Sequence, residues 1–237
     1  MSKIALLSDI HGNQIALDTV LARLADEGID RVICLGDVAI FGPQPCEALA
    51  RIRELECPVV MGNTDAWALD PFPHSYRDEK TERFNAVELW GAAQLDADDR
   101  AFIGTFRPLL IESLPGGISL CCYHGSPRSY HDAITATTQD DELVTMLNGH
   151  SATIMAGGHT HAPMVRRFQD MVLVNPGSVG LPFESVATGV RHPPWAEYAI
   201  LTVVDGQVGV ALRRLHYDIC LLYTSPSPRD LVGNLGC

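Results

Sequence analysis

Asp9 and His11, one residue apart, follow directly on the apolar run Ile4-Ala5-Leu6-Leu7. Four further stretches repeat the arrangement, each at the end of an apolar run: Gly36-Asp37, Gly62-Asn63-Thr64-Asp65, His124-Gly125-Ser126 and Gly158-His159-Thr160-His161. The oxygens of Asp9, Asp37 and Asn63 and the imidazoles of His11, His124, His159 and His161 suit borderline divalent metals such as Mn, Fe, Ni or Zn. A carboxylate placed like Asp37 can bridge two ions and offset their repulsion. Two ions ~3.5–4 Å apart would hold a shared hydroxide and clamp both sides of an in-line displacement at phosphorus. A single strand-end histidine would more often be a hydrogen-bonded core residue, and His74, His150, His192 and His216, which lack this context, are assigned no role. The set of motifs taken together is far more specific than any one of them.

The elements that must present these residues follow from periodicity. Lys3–Leu7 and Arg31–Leu35 read as buried strands, and Pro58–Met61 as a third. Ile15–Leu24 carries a helical apolar stripe, and Ala48–Leu55 reads as a second helix. Strands alternating with helices at this spacing predict βαβ units and a parallel start to a sheet, with ligands at its carboxyl edge. Ala66–Arg107 breaks the pattern. Its helices at about 80–95 and 98–106, the second capped by Asp96, predict a helical cap beside the site, with Trp67, Phe84, Leu89 and Trp90 packed as core. Strands at Leu109–Leu114 and Ile118–Tyr123, a helix at Asp140–Leu147, strand Thr153–Ala156, and a hairpin of Met164–Phe168 with Met171–Val174 come next. A second hairpin, Tyr198–Val204 with Val208–Leu215, turns at Asp205-Gly206. Phe183–Trp195 reads as a contact loop, which would suit a homo-oligomer, or as a long connection.

The chain has 237 residues, 46% of them hydrophobic, and a net charge of -12. It is long enough for one sizeable core. No basic run is present to neutralise a nucleic-acid backbone. No leader pattern or span of ~20 apolar residues is evident, so no membrane partner is expected. The cysteines form no Cys-x-x-Cys pair, and adjacent Cys121 and Cys122 should point to opposite faces of a strand. A reduced, cytoplasmic protein is the expectation.

Asp-x-His, Gly-Asp, Gly-Asn-x-Asp, His-Gly-Ser and Gly-His-Thr-His, in that order from about Lys3 to Ile219, resemble the calcineurin-like metallophosphoesterase superfamily. The likeness is to its small bacterial and archaeal phosphodiesterase-like branch, which shares the turn Asn175-Pro176-Gly177-Ser178. The resemblance implies an α/β fold, a four-layer αββα sandwich with residues 66–107 as a small helical cap within a single domain spanning 1–219. It implies two divalent metal ions, Mn foremost. By analogy Asp9, His11, Asp37 and His161 would hold one ion, and Asp37, Asn63, His124 and His159 the other. Asp37, Asn63 and His124 would also act in catalysis. The activity implied is hydrolysis of phosphodiesters or small phosphomonoesters. A phosphomonoesterase or nucleotide pyrophosphatase is the alternative within enzymes, and a non-catalytic protein-interaction scaffold on the same fold the alternative outside them.

Two departures narrow this. Protein phosphatases of the superfamily carry Gly-Asp-x-Val-Asp-Arg-Gly, whereas here Gly36-Asp37 continues Val38-Ala39-Ile40-Phe41-Gly42, which argues against phosphoprotein substrates. Many members have a histidine after Gly-Asn that protonates the leaving group or steadies the transition state, and here Thr64 stands in its place. Thr64, Asp65 or His131 could substitute for it, and Arg128 could meet a substrate phosphate or pair with Asp132. Specificity is expected in Ala66–Arg107 and Ser126–Asp141. The final stretch changes character. Cys220–Asp230, CLLYTSPSPRD, matches residue for residue the translation of a transposase-type sequencing adapter, so 220–237 is expected to be a non-native tail that contributes no function.

Overall fold

The computed structural model describes residues 1–73, 79–187 and 189–220. The expected tail lies outside them except for Cys220, as does His74. The first sheet contains β1 (Ser2–Leu7) and β2 (Arg31–Cys34), parallel, joined through helix α1 (Gln14–Asp26). Helices α2 (Pro45–Glu54), α3 (Asn63–Leu69), α4 (Glu79–Gln94) and α5 (Ala97–Ile103) follow. The second sheet has the order β3-β4-β5-β7-β6, from β3 (Leu110–Leu114), β4 (Ile118–Cys122), β5 (Ile154–Ala156), β6 (Met164–Phe168) and β7 (Met171–Asn175), with α6 (Asp140–Leu147) inserted after β4. A short hairpin of β8 (Glu184–Val186) and β9 (Gly189–Arg191) precedes β10 (Trp195–Val204) and β11 (Gln207–His216), which return to the first sheet in the order β11-β10-β1-β2.

Strand alternation divides the core. Ile4 and Leu6 of β1 meet Leu120, Cys122, Ile154 and Val174 of the second sheet, forming the layer between the sheets. Ala5 and Leu7 face the other way, onto Leu17, Val20, Leu49 and Ile52 of α1 and α2. Leu143 and Leu147 of α6 cover the outer face of the second sheet against Cys121, Met155 and Leu173. The result is helices, sheet, sheet, helix: the expected four layers, with Cys121 and Cys122 on opposite faces. Full burial of a Leu or Ile side chain contributes roughly 1.5–3 kcal/mol, so these three clusters hold the sheets in register. Asn13 caps α1 by accepting from Ala16 N at 3.0 Å, and Asp96 caps α5 by accepting from Asp99 N at 2.8 Å.

The structure differs from the expected elements at several points. Pro58–Met61 forms only single bridges, Cys34 with Val59 and Val60 with Arg107, because Pro58 has no N–H and the chain turns at Gly62 into α3. The start of α3 at Asn63 was not foreseen. The long connection at 183–195 contains the β8–β9 hairpin. Helices α3–α5 pack into the main core. Ala68, Ala92, Leu95 and Ile103 join the same core as α1 and α2, and Arg100 ties the segment together by donating to the carbonyls of Ala68 and Ala92. Phe84, assigned to the core, is 51% exposed. No helix among the described residues is long and apolar enough to cross a membrane.

Candidate metal centre

The loop after β1 is laced to the loop after β2. Asp9 N donates to Gly36 O at 3.0 Å, His11 N to Asp37 O at 2.9 Å and Gly12 N to Val38 O at 2.8 Å. This pairing holds Asp9, His11 and Asp37 at φ of 54°, 48° and 57°, and His159 and His161 likewise at 66° and 53°. Left-handed backbone at non-glycine residues is strained by on the order of 1–3 kcal/mol each and persists only where its surroundings over-determine it. The turn Asn175-Pro176-Gly177-Ser178 supplies part of that support. Asn175 Nδ2 donates to Gly158 O at 2.7 Å, and Ser178 Oγ to Asp9 O at 2.7 Å. Gly62 is needed for close approach: a Cβ there would lie 2.1 Å from Asp37 Oδ1 and 2.5 Å from Asp37 N.

These loops bring the strand-end residues into two clusters, Asp9 with His11 and His161, and Asp37 with His124 and His159, the ligand atoms of each within 4.8 Å of one another. The imidazoles are oriented from behind. His11 Nδ1 donates to Ile40 O at 2.8 Å, His124 Nδ1 to Leu35 O at 2.7 Å, and His161 Nδ1 to Leu181 O. Each bond turns Nε2 inward, the arrangement that fixes a metal-ligating tautomer. His11 Nε2 and His161 Nε2 face each other at 3.0 Å. Asp9 Oδ2 accepts from Ser8 Oγ and His159 N, which leaves Oδ1 buried without a hydrogen bond. That oxygen lies 3.2 Å from His161 Nε2, 3.8 Å from His11 Nε2 and 4.0 Å from His124 Nε2. A buried, unsatisfied carboxylate oxygen among inward-turned imidazoles is what a cation would satisfy, and the donor set fits borderline divalent ions. Asp37 faces both clusters. Its Oδ1 accepts from Thr64 N at 2.9 Å, while Oδ2 lies 3.4 Å from His124 Nε2 and 3.8 Å from His11 Nε2. Asn63 Oδ1 lies 3.1 Å from His124 Nε2.

Protonation follows from this crowding. Burial opposes charge on His124, yet Asp37 and then Asp9 hold its proton up to about 10. Burial opposes charge on His161 too, and Asp9 outweighs it. Burial, then the neighbouring His161 charge, pushes His11 down to about 4. Burial alone would raise both carboxylates, but His161 beside Asp9 and His124 beside Asp37 hold them below the usual range. At neutral pH the metal-free centre therefore carries a proton on His124, and Asp9 holds the His161 proton above the ordinary imidazole range. Metal must displace them, because an imidazole ligates only when neutral. Mn titrated into unbuffered apoprotein near pH 7.5, followed with a pH indicator, is expected to release at least one proton per chain, that of His124. Apparent affinity should climb as pH rises towards the His124 value. Uptake without proton release would contradict these assignments.

Residues 2–206 match the sequence profile of the calcineurin-like phosphoesterase superfamily domain, a span that contains both clusters and every strand of the two sheets except β11. The chain belongs to that superfamily. It is 29% identical to the uncharacterised protein MJ0912 of Methanocaldococcus jannaschii over 238 aligned positions, covering 94% of this chain and 90% of that one. It is 27% identical to phosphodiesterase YfcE of Escherichia coli K12, covering 77% of this chain and 82% of YfcE. The fold is similar to that of a metallophosphoesterase from Sphaerobacter thermophilus, with a TM-score of 0.73 at 24% identity and coverage of 98% and 94% of the two chains.

Within this superfamily fold the metal cleft, of 210 Å³, is lined by His11, Asp37, Asn63, Thr64, His159 and His161, with Phe41, Phe84, Leu181 and Phe183 at its walls. Thr64 reaches it, and its buried Oγ1 has no hydrogen-bond partner. Asp65 does not. Its carboxylate is fully buried and accepts from Asp37 N at 2.7 Å, Val38 N at 2.9 Å and Gly62 N at 3.1 Å, so it shapes the Asp37 loop instead of meeting substrate. Burial, then the Asp37 charge, raises its carboxyl to about 7, against those three donors. Arg128 pairs with Asp132 at 2.6 Å and does not line the cleft. His131 is exposed, and its N–H donates to Ser129 Oγ. Nothing from Ser126–Asp141 lines the cleft. The aromatic walls went unrecognised. Phe41 lies in the stretch noted only for departing from the phosphatase motif, and a lone phenylalanine before Glu184 gives no period to read.

Proposed function

We propose that the chain is a dinuclear metal-dependent phosphodiesterase acting by in-line displacement, with Mn the first metal to test and Fe, Ni or Zn also suited to the ligands. The observation that carries this reading is Asp37 Oδ2, placed between the clusters at 3.4 Å from His124 Nε2 and 3.8 Å from His11 Nε2. Asp9, His11 and His161 would hold one ion, and Asn63, His124 and His159 the other, with Asp37 shared. When bound, the ions would acidify a water and neutralise charge developing on the phosphoryl oxygens. The protein's own part is positional. The backbone carbonyls behind His11, His124 and His161 fix the rings, and Asp65 fixes the Asp37 loop. The unpartnered Thr64 hydroxyl faces the cleft and would donate to a phosphoryl oxygen. The name of the relative YfcE supports the diester assignment.

Apart from the residues assigned to the metals, no described group lining the cleft is suited to protonate a poor leaving group. Esters with stable leaving anions should therefore turn over fastest. Metal-stripped protein reconstituted with Mn is expected to hydrolyse bis(p-nitrophenyl) phosphate faster than p-nitrophenyl phosphate. Faster monoester turnover would make it a phosphomonoesterase. The free thiols of Cys34, Cys46, Cys57, Cys121 and Cys122 support a reducing, cytoplasmic setting.

A further inference from the structure

Beside the metal cleft lies a larger groove of 1120 Å³, and the two share Phe41, Phe84, His161, Leu181 and Phe183 as lining. Its walls come from α4 and from the segment that carries the β8–β9 hairpin. The wall and the metal centre are mechanically one unit, since Leu181 O receives the His161 Nδ1 hydrogen bond. Aromatic rings connect the two spaces. From one cluster, His11 contacts Phe41 edge-on at 5.5 Å, and Phe41 contacts Phe84 edge-on at 6.1 Å. From the other, Phe183 stacks on His161 at 4.5 Å and 8°, and His192 meets Phe183 at 5.1 Å. Phe84 and Phe183 are 51% and 48% exposed, a large apolar investment at the mouth of a polar site. Single exposed apolar residues need no explanation, but half-exposed rings lining one concave surface mark a binding groove.

We propose that this groove seats a planar aromatic group carried by the phosphate ester, a nucleobase or an aryl arm, and that Phe84 and Phe183 determine the specificity. The inference rests on the phosphoesterase reading and names its substrate class. Continuity decides the occupant. A phosphoryl group in the metal cleft places its ester arm against the shared Phe41, Phe84 and Phe183, and π faces reward a flat ring over an alkyl chain or a sugar. The volume exceeds what a methyl or glyceryl arm would fill and leaves room for a nucleoside.

The test is binding, not turnover. Mn-loaded protein is titrated calorimetrically with methylphosphonate, naphthylmethylphosphonate and a thymidine phosphonate, whose P–C bonds resist hydrolysis. The aromatic compounds are expected to bind about ten- to a hundredfold more tightly than methylphosphonate. The double variant F84A/F183A should lose that advantage, read as the ratio to its own methylphosphonate affinity, and F183W should retain it. Tighter binding of the thymidine compound than the naphthyl one would assign a nucleoside arm, and the reverse order an aryl arm. Equal binding of all three by the wild type overturns the inference and leaves the phosphoesterase reading standing. Binding of none overturns both. A wild-type dimer that F84A/F183A abolishes, with no ring preference, gives the groove to a second copy of the chain and also overturns it.

Discussion

Asp37→Asn is expected to lower Mn-dependent diester hydrolysis by about 10²–10³-fold or more, with the fold intact. The reason is electrostatic. The amide keeps an oxygen that can accept from Thr64 N, so the loop retains its 2.9 Å anchor. It loses the negative charge that faces both His124 and His11. Two dications a few ångströms apart repel strongly, and a shared carboxylate offsets that repulsion in a way a neutral amide does not. The same charge is the main force sustaining the His124 proton against burial, so the variant should release fewer protons on metal uptake. Steady-state kinetics, metal analysis and a thermal melt on one preparation separate the possibilities. A large drop in melting temperature would make Asp37 a structural residue first. Activity within tenfold of wild type would contradict a bridging role.

Asp65→Ala is expected to destabilise the fold by about 3–5 kcal/mol, although Asp65 does not line the metal cleft. Its carboxylate receives three buried backbone N–H groups, and each left without a partner costs roughly 1–3 kcal/mol. Asp37 sits at φ 57° partly because Asp65 Oδ2 takes its N–H, so the loop should relax and take Asp37 Oδ2 out of line. Asp65→Asn should be damaging too. Its amide would retain one good acceptor, while its NH₂ would meet the Asp37 and Gly62 N–H groups, both of which now donate to one oxygen. Urea denaturation with an unchanged m-value measures the loss. A shift below 1 kcal/mol would mean that water or a rearranged loop satisfies those donors.

What could be read in the sequence, and what could not, divides along the range of the interactions. The βαβ start, the Asp140–Leu147 helix and the Asp205-Gly206 hairpin follow from local periodicity and turn chemistry, and the structure shows each. The clustered residues could be collected because every one ends an apolar run. Their left-handed backbone could not, because Asp9 and His159 acquire it from partners far away in the chain. Pro58–Met61 looks like a strand by composition, but Pro58 has no N–H to pair and the chain turns at Gly62 into α3, so only single bridges form. Asp65 looked like a second functional acid because a carboxylate beside Gly-Asn carries no mark of the three N–H groups that surround it. Phe183 and Phe84 are distant in sequence and meet the site only through the fold, so no spacing announced the groove.

The most direct test of the dinuclear assignment is equilibrium dialysis of metal-stripped protein against Mn, with metal content and diester hydrolysis measured on the same samples. Two equivalents per chain are predicted, with activity rising mainly as the second binds. Full activity at one equivalent, or two bound equivalents that leave hydrolysis at the metal-free level, would contradict it.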